Sequence, residues 1–153
     1  MFRAVVLRDI SDDDLPIFFE HQREPEANHM AAFPPRDRQA FMNHWRTKVL
    51  TDPIGKRKTI VADGQVAGNV VSWQQDDQLR LGYWIGRSYW GRGIATAAVT
   101  EFLENCEKRR PIYAYVATHN VGSIRVLDKC GFQRVGDPIV GLDGVTELLM
   151  QLA

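Results

Sequence analysis

The spacing of apolar residues changes partway along the chain, and this change limits the possible folds more than any other feature. Lys58 to Ala62 and Val66 to Trp73 follow the two-residue period of β-strands. Asp63-Gly64 lies between them and is a strong hairpin signal, because both residues tolerate a positive φ. A second turn at Asp76-Asp77 leads into another strand, from Leu79 to Ile85. Three consecutive antiparallel strands are therefore predicted.

The part of the chain before these strands has mainly helical spacing. Phe2 to Arg8 alternates and predicts a first strand, after which Ser11 is placed to cap a helix that ends near Gln22. The stretch from Arg23 to Pro35 contains several helix breakers and is predicted to be a loop. A second helix is expected over Arg36 to Leu50, where Phe41, Trp45 and Val49 share one face.

The second half alternates strands with helices. The predicted elements are a helix from Gly91 to Arg110, a strand from Ile112 to Thr118, a helix from Asn120 to Lys129 and final strands over Phe132 to Val135 and Val145 to Leu152. Strand–helix–strand units favour parallel pairing, whereas the hairpins favour antiparallel pairing. The expected fold class is α+β, with a mixed, mostly antiparallel twisted sheet flanked by helices. We expect one domain over residues 1–153.

Composition excludes several classes of protein. Nineteen basic and nineteen acidic residues give zero formal charge, which argues against a nucleic-acid partner. The two cysteines, Cys106 and Cys130, have no metal-ligand spacing and favour neither a disulfide framework nor a metal site. The sequence has no signal-peptide pattern and no apolar run of membrane-spanning length. The sequence thus predicts a cytoplasmic protein with no membrane partner.

The most informative segment joins the strand that ends at Ile85 to the helix that follows it. Gly91 and Gly93 lie in the connecting loop, directly before the helix. Glycines allow a ligand to approach the backbone closely, and the unpaired N–H groups of a first helical turn attract anions. A diphosphate suits such a site. Because Gly-x-Gly turns are common, this motif alone is weak evidence.

The wider sequence around the loop is far more specific. Gly82-Tyr-Trp-Ile85, followed after a short spacer by Tyr89-Trp-Gly-Arg-Gly-Ile-Ala-Thr96, resembles the coenzyme A-binding core of GNAT acetyltransferases. Among them it is most similar to the ribosomal-protein N-terminal acetyltransferases (the Rim branch). Ser88 stands where the family pattern has Gln or Arg. This departure matters little if backbone amides bind the phosphates.

A second motif lies about thirty residues downstream. Asn120-Val-Gly-Ser123 opens a helix that closes with Gly131-Phe132, and this resembles the Asn-x-x-Ser helix of the same family. Taken singly, Asn120 is explained as a helix N-cap and Gly131 as a left-handed C-cap. These two explanations do not account for both motifs occurring together, in this order.

The resemblance implies a function and a set of site residues. It implies that acetyl-CoA is the cosubstrate, that no metal is needed, and that a primary amine attacks the thioester directly in a ternary complex. The amine would belong to a protein N-terminus, a lysine or a small molecule. The sheet would splay between its fourth and fifth strands to admit the cofactor, and the protein would be a monomer or a homodimer. The implied cofactor-binding residues are Trp84, Ile85, Gly91, Arg92, Gly93, Ile94, Ala95, Thr96, Asn120 and Ser123.

The catalytic residues are harder to assign, because two positions depart from the family. Arg80 stands where many relatives have a Glu base, and Leu127 stands where others have a Tyr acid. The resemblance leaves Ser123 as the candidate that hydrogen-bonds the leaving thiolate; its hydroxyl could instead bond the helix backbone. The candidate bases are His119, His29 and Glu26.

Two questions stay open at the level of sequence. The missing Glu and Tyr also fit a second interpretation, namely a catalytically silent acyl-CoA-binding sensor. The acceptor is expected to enter near two loops, Arg23 to Pro35 and Asp137 to Gly144, but loop sequences do not identify it.

Overall fold

A single mixed sheet runs through the protein. The computed structural model describes residues 4–153, and the sheet in this part has eight strands in the order β1-β2-β3-β4-β5-β8-β6, with β7 paired to β8. The strands are β1 (Val5–Arg8), β2 (Arg57–Ala62), β3 (Gln65–Gln75), β4 (Gln78–Ile85), β5 (Ile112–Ala117), β6 (Gln133–Arg134), β7 (Ile139–Val140) and β8 (Thr146–Leu152).

The junction between β4 and β5 differs from the rest of the sheet. The other paired strands are antiparallel, whereas β4 and β5 are parallel. Over the described residues, the ladder between them consists of one pair, Arg80 with Tyr113. Beyond this pair β4 continues to Ile85 and β5 to Ala117 without pairing to each other. This divergence confirms the predicted mixed sheet that splays between its fourth and fifth strands.

Helices cover both faces of the sheet. They are α1 (Leu15–Gln22), α2 (Pro25–Ala31), α3 (Arg38–His44), α4 (Ile94–Asn105) and α5 (Val121–Lys129); a 3-10 turn (Asp12–Asp14) precedes α1, a π-helical turn (Trp45–Val49) continues α3, and a 3-10 turn (Arg87–Tyr89) follows β4. In residues 4–153, none of these helices combines the length and the apolar character needed to cross a membrane.

Two apolar clusters hold the layers together. The larger one joins the sheet to α4 and α5 and is centred on fully buried residues such as Val99, Phe102 and Leu127. The smaller one lies on the other face, where α1 and α3 meet through Leu15, Phe18, Phe41 and Trp45. Burial of these side chains provides the main driving force for the arrangement.

The loop predicted over Arg23 to Pro35 is wrong, because part of this segment forms α2. The side chain of Glu24 accepts a hydrogen bond from the backbone N–H of Ala27 at 2.8 Å, and so caps the helix. Pro25 occupies the first helical position, where its missing N–H breaks no hydrogen bond and its fixed φ suits the helix. Pro25 therefore begins a helix and does not break one.

Other boundaries also shift. The helix predicted from Gly91 to Arg110 is shorter, because it begins at Ile94 and ends at Asn105. The segment predicted as a loop between the last strands contains β7, whose two residues extend the sheet beside β8. Of the first predicted strand, Phe2 and Arg3 lie outside the described residues.

Candidate active site

The divergence of β4 from β5 opens a cavity of about 510 Å³. Its walls come from the carboxyl end of β4, the loop before α4, the first turn of α4, one side of α5 and one side of α2. The lining residues are Ala27, Met30, Ala31, Tyr83, Trp84, Ile85, Tyr89, Trp90, Gly91, Gly93, Ile94, Ala95, Thr96, Asn120, Gly122, Ser123, Arg125, Val126 and Lys129.

The cavity passes through the sheet from one face to the other. Consecutive side chains of a strand point to opposite faces, and both Tyr83 and Trp84 line the cavity. The Tyr83 hydroxyl contacts Ser123 of α5, whereas the Trp84 indole N–H donates to the carbonyl of His21 in α1 at 3.2 Å. Two reactants could therefore enter from opposite faces and meet between the strands.

The loop before α4 presents backbone donors to the cavity. Gly91 and Gly93 both have a φ of +75°, a conformation that L side chains rarely adopt. The N-cap of α4 is Gly93, and no side chain within residues 4–153 caps this helix. The N–H groups of Ile94, Ala95 and Thr96 lie in its first turn, where helical geometry provides no acceptor. This end of the cavity is thus built to bind an anion.

Helix α5 adds positive charge to the same cavity. Its N-cap, Asn120, accepts a hydrogen bond from the Ser123 N–H at 3.2 Å, as the sequence predicts. Arg125 and Lys129 are four residues apart, so they lie on one side of the helix, and both line the cavity. The described residues that line the cavity include no Asp, Glu or His. The cavity is electrostatically suited to an anionic ligand.

A hydrogen bond joins Ser123 to Tyr83. Their hydroxyl oxygens lie 2.5 Å apart, although forty residues separate them in the sequence. The Tyr83 ring packs against the apolar cluster beneath α4 and α5, and burial raises the pKa of its phenol to about 12. Among residues 4–153, the hydrogen-bond partner of the Ser123 hydroxyl is the Tyr83 hydroxyl, whereas the other hydrogen bonds of Ser123 use its backbone. The structure therefore differs from the alternative in which the Ser123 hydroxyl bonds the backbone of its own helix.

On the side of the cavity that faces α1, the wall is formed by α2. Ala27, Met30 and Ala31 lie on one face of this helix and line the cavity. The helix is held to the turn that follows β5 by His119, whose Nε2 lies 2.7 Å from the carbonyl oxygen of His29. Because a carbonyl only accepts, Nε2 carries the proton, and the lone pair of a neutral His119 ring is at Nδ1.

The structure brings most of the predicted cofactor residues together. Trp84, Ile85, Ile94, Asn120, Ser123 and the predicted residues between Gly91 and Thr96 line the cavity, with the exception of Arg92. The Arg92 guanidinium lies instead over the ring of Tyr89, 5.7 Å from its centre.

The candidate bases lie outside the wall of the cavity. His119 and His29 are exposed, with ring centres 5.0 Å apart, and each is adjacent in sequence to a lining residue. Glu26 is exposed in the first turn of α2. The two histidines therefore stand beside the cavity, and none of the three is enclosed by it.

The two positions that depart from the family pattern lie elsewhere. The Arg80 guanidinium lies over the ring of Tyr115 and contacts Asp76, so this side chain is engaged next to the strand turn. Leu127 is almost fully buried in the apolar cluster. Neither side chain lines the cavity.

Sequence reasoning missed three features of the site: Tyr83, the cationic pair Arg125 and Lys129, and the wall formed by α2. The pair could have been found from its i, i+4 spacing in the same helix as Ser123. Tyr83 gave no signal beyond its place in the motif, since its contact with Ser123 depends on the packing of α5 against β4.

The family comparison agrees with this geometry. The family model described as acetyltransferase (GNAT) domain matches residues 4–133. The chain belongs to the GNAT family. It therefore carries an acetyltransferase domain. The match does not distinguish the Rim branch from the rest of the family.

A relative of this GNAT domain supports the same conclusion. The uncharacterized N-acetyltransferase p20 of Bacillus licheniformis is 32% identical over 66 residues, which are 41% of this chain and 37% of that protein. The match thus spans little more than a third of that relative's length.

Solved structures share the fold at low identity. A GNAT-family acetyltransferase from Bacillus anthracis superposes with a TM-score of 0.81 at 15% identity, over 99% of this chain and 96% of that one. The spermidine N-acetyltransferase of Vibrio cholerae, in complex with CoA and spermine, gives 0.82 at 16%, over 97% and 94%. The aminoglycoside acetyltransferase AAC(6')-Ib, in complex with coenzyme A, gives 0.77 at 20%, over 97% and 94%. At such identities, the likeness concerns the fold alone.

Proposed function

We propose that the protein is an N-acetyltransferase that moves an acetyl group from acetyl-CoA to a primary amine in a ternary complex. The observation that carries the proposal is the cavity between β4 and β5, which crosses the sheet and has an anion-binding end. A donor held on one face and an acceptor held on the other would meet there. Such placement of two reactants supplies much of the rate acceleration in a direct transfer.

The cofactor would lie along β4 and over the start of α4. In this arrangement the diphosphate occupies the loop of Gly91 and Gly93, where backbone N–H groups donate to it. Arg125 and Lys129 balance the remaining phosphate charge. The pantetheine arm follows the unpaired edge of β4 beside Trp84 and Ile85, so that the thioester reaches Ser123.

The acceptor that suits this cavity best is an amine with a low pKa. Direct attack requires a neutral amine, and no carboxylate or imidazole is among the described lining residues to take up its proton. At pH 7 about 10–15% of an α-amine is neutral, against about 0.04% of a lysine amine. The absence of a lining carboxylate also disfavours a polycation. We therefore infer a peptide or protein N-terminus, in agreement with the resemblance to the Rim branch.

The test should also include polyamine and aminoglycoside acceptors. The structural neighbours include a spermidine acetyltransferase and an aminoglycoside acetyltransferase. A thiol-release assay with acetyl-CoA should compare short peptides with free N-termini, N-acetylated peptides that contain lysine, spermidine and kanamycin. Free N-termini are expected to turn over fastest. Faster turnover of spermidine or kanamycin would contradict the assignment to an α-amine.

The same assay tests the silent sensor. This second interpretation rests on the absence of the family's Glu and Tyr, whose positions hold Arg80 and Leu127 in this sequence. Calorimetry that shows acetyl-CoA binding without turnover of any amine would support the sensor. Turnover of one acceptor excludes it. Absence of acetyl-CoA binding would overturn both interpretations.

A further inference from the structure

The contact between Tyr83 and Ser123 has a consequence for the leaving group of the reaction. The two hydroxyl oxygens are 2.5 Å apart at the point where the cavity passes between β4 and α5, and both residues line it. The Tyr83 hydroxyl also lies 3.4 Å from the backbone carbonyl of Ser123, a weaker contact. The Tyr83 hydroxyl thus contacts both the side chain and the backbone of Ser123.

We propose that Tyr83 is a positioning residue that orients and polarises the Ser123 hydroxyl toward the departing coenzyme A thiolate. This inference rests on the function proposed above. A serine hydroxyl has one proton, so Ser123 can donate to sulfur only if it does not donate to Tyr83. The Tyr83 O–H must then donate to Ser123 Oγ, and the Ser123 O–H is left for the thiolate.

Such a chain of hydrogen bonds has two effects. Each bond polarises the next, so Ser123 becomes a better donor than an isolated serine. Tyr83 also keeps the hydroxyl from turning back to a carbonyl of its own helix, which is the common alternative for serine near a helix start. Both effects act when negative charge develops on sulfur, which is when they lower the barrier.

Tyr83 supports Ser123 without giving up its proton. Burial raises the pKa of the phenol to about 12, far above that of a thiol near 8.5. A phenol with such a pKa stays protonated beside a thiolate. In the reaction the amine nitrogen forms a bond to the carbonyl carbon, the C–S bond breaks, and its electron pair leaves on sulfur. The proton that the nitrogen loses balances this charge.

The thiol pKa of bound coenzyme A is the quantity that tests this role. Ser123 stabilises the thiolate more strongly when Tyr83 polarises it, so Tyr83→Phe should raise the thiol pKa by about 0.5–1, or about three- to tenfold in ionisation. Ser123→Ala should raise it at least as much. Arg125 and Lys129 also favour the thiolate, but they are unchanged in both variants.

The titration can be made specific for the cofactor. Thiolate absorbance of the complex with coenzyme A is recorded against pH and corrected with the complex of desulfo-coenzyme A, which removes the signals of Cys106 and Cys130. Tyr115→Phe is the matched control, because it also removes one tyrosine hydroxyl bonded to one side chain, Gln78, but lies outside the cavity. Thermal unfolding of each variant shows whether the fold is kept.

A double-mutant cycle on kcat separates positioning from packing. Tyr83→Phe should lower kcat about three- to tenfold in the parent and leave it unchanged in the Ser123→Ala background, because the effect passes through Ser123. An unchanged thiol pKa, or equal losses of kcat in both backgrounds, overturns the inference while acetyl transfer itself persists. If coenzyme A does not bind at all, the proposed function fails and this inference falls with it.

Discussion

Tyr83 and Trp84 are consecutive in β4, yet they connect the same cavity to opposite layers of the protein. The Tyr83 hydroxyl is hydrogen-bonded to the Ser123 hydroxyl of α5, and the Trp84 indole N–H donates a hydrogen bond to the carbonyl of His21 in α1. The cavity can join the two faces because β4 and β5 pair at one position and then separate. We expect the acetyl donor on the α4 and α5 face and the amine on the face covered by α1 and α2.

The first prediction tests the side from which the amine enters. Met30 lines the cavity from α2, on the face opposite Ser123. Met30→Trp should narrow this entrance and raise the KM of the best acceptor about tenfold, which corresponds to about 1.4 kcal/mol. The affinity for acetyl-CoA, measured by calorimetry, should stay the same. A loss of acetyl-CoA affinity with an unchanged acceptor KM would place the donor on the α2 side.

The second prediction concerns the donor side and uses a glycine that lines the cavity. A Cβ added at Gly122 would meet no atom of the described part of the chain within 4 Å, so a larger side chain at this position projects into open space. Gly122→Leu should therefore weaken acetyl-CoA binding at least tenfold, about 1.4 kcal/mol. It should not unfold the protein, because Leu has a higher helix propensity than Gly.

Val121→Leu provides the matched control for this experiment. Val121 precedes Gly122 in α5, is exposed and does not line the cavity. Calorimetry should give it the acetyl-CoA affinity of the parent. Equal weakening by both substitutions would point to a general disturbance of α5, and full affinity of Gly122→Leu would place the cofactor elsewhere.

The third prediction concerns the hydrogen bond to the leaving thiolate. Ser123→Ala should lower kcat about ten- to a hundredfold, or about 1.4–2.7 kcal/mol of barrier, because the charge on sulfur then lacks its donor. The affinity for acetyl-CoA should change less than about threefold, since the bond strengthens only as charge develops. Steady-state kinetics at saturating substrates measures this. Parental kcat in the variant would leave Ser123 without a role in the chemistry.

The fourth prediction concerns stability and is independent of function. Glu107 is fully buried, and burial opposes its ionisation, but hydrogen bonds from Arg109 and Ser72 outweigh this and hold its pKa below the ordinary 4.5. A carboxyl whose pKa is lowered in the folded state stabilises it above the unfolded pKa. This stabilisation is lost as the pH falls through the folded pKa.

Glu107→Gln should therefore reduce the free energy of unfolding by about 1–3 kcal/mol at neutral pH, because the charged hydrogen bonds are lost. The difference from the parent should shrink as the pH is lowered below about 4.5, where the parental carboxyl also becomes neutral. Urea unfolding of both proteins across this range measures it. A difference that stays constant with pH would show that the charge of Glu107 does not contribute.

Features with a local cause were predictable from the sequence. Asp63-Gly64 forms the expected turn, with φ values of +50° and +81°, because turn conformations depend on the residues within them. Asn120 caps α5 and Gly131 follows it with a positive φ for the same reason. The wrong prediction of a loop at Pro25 also has a local cause. A proline can end one helix or begin another, and the flanking structure decides between the two.

Features that depend on contacts between distant segments were not predictable. The partner of Ser123 is Tyr83, forty residues away. One wall of the cavity is α2, which the contact between His119 and His29 holds against the turn after β5. Neither contact has a periodic pattern or a turn signal in the sequence.

The sequence by itself therefore determined most of the strands, the caps at the two ends of α5, the glycine loop and the family. Each of these depends on the conformational preferences of a few adjacent residues or on their order in a motif. The tertiary structure alone decided how far β4 and β5 separate, which faces the cavity joins, and that Leu127 is buried while Ser123 faces Tyr83. These outcomes depend on how whole layers pack, and packing sums contacts from every segment of the chain.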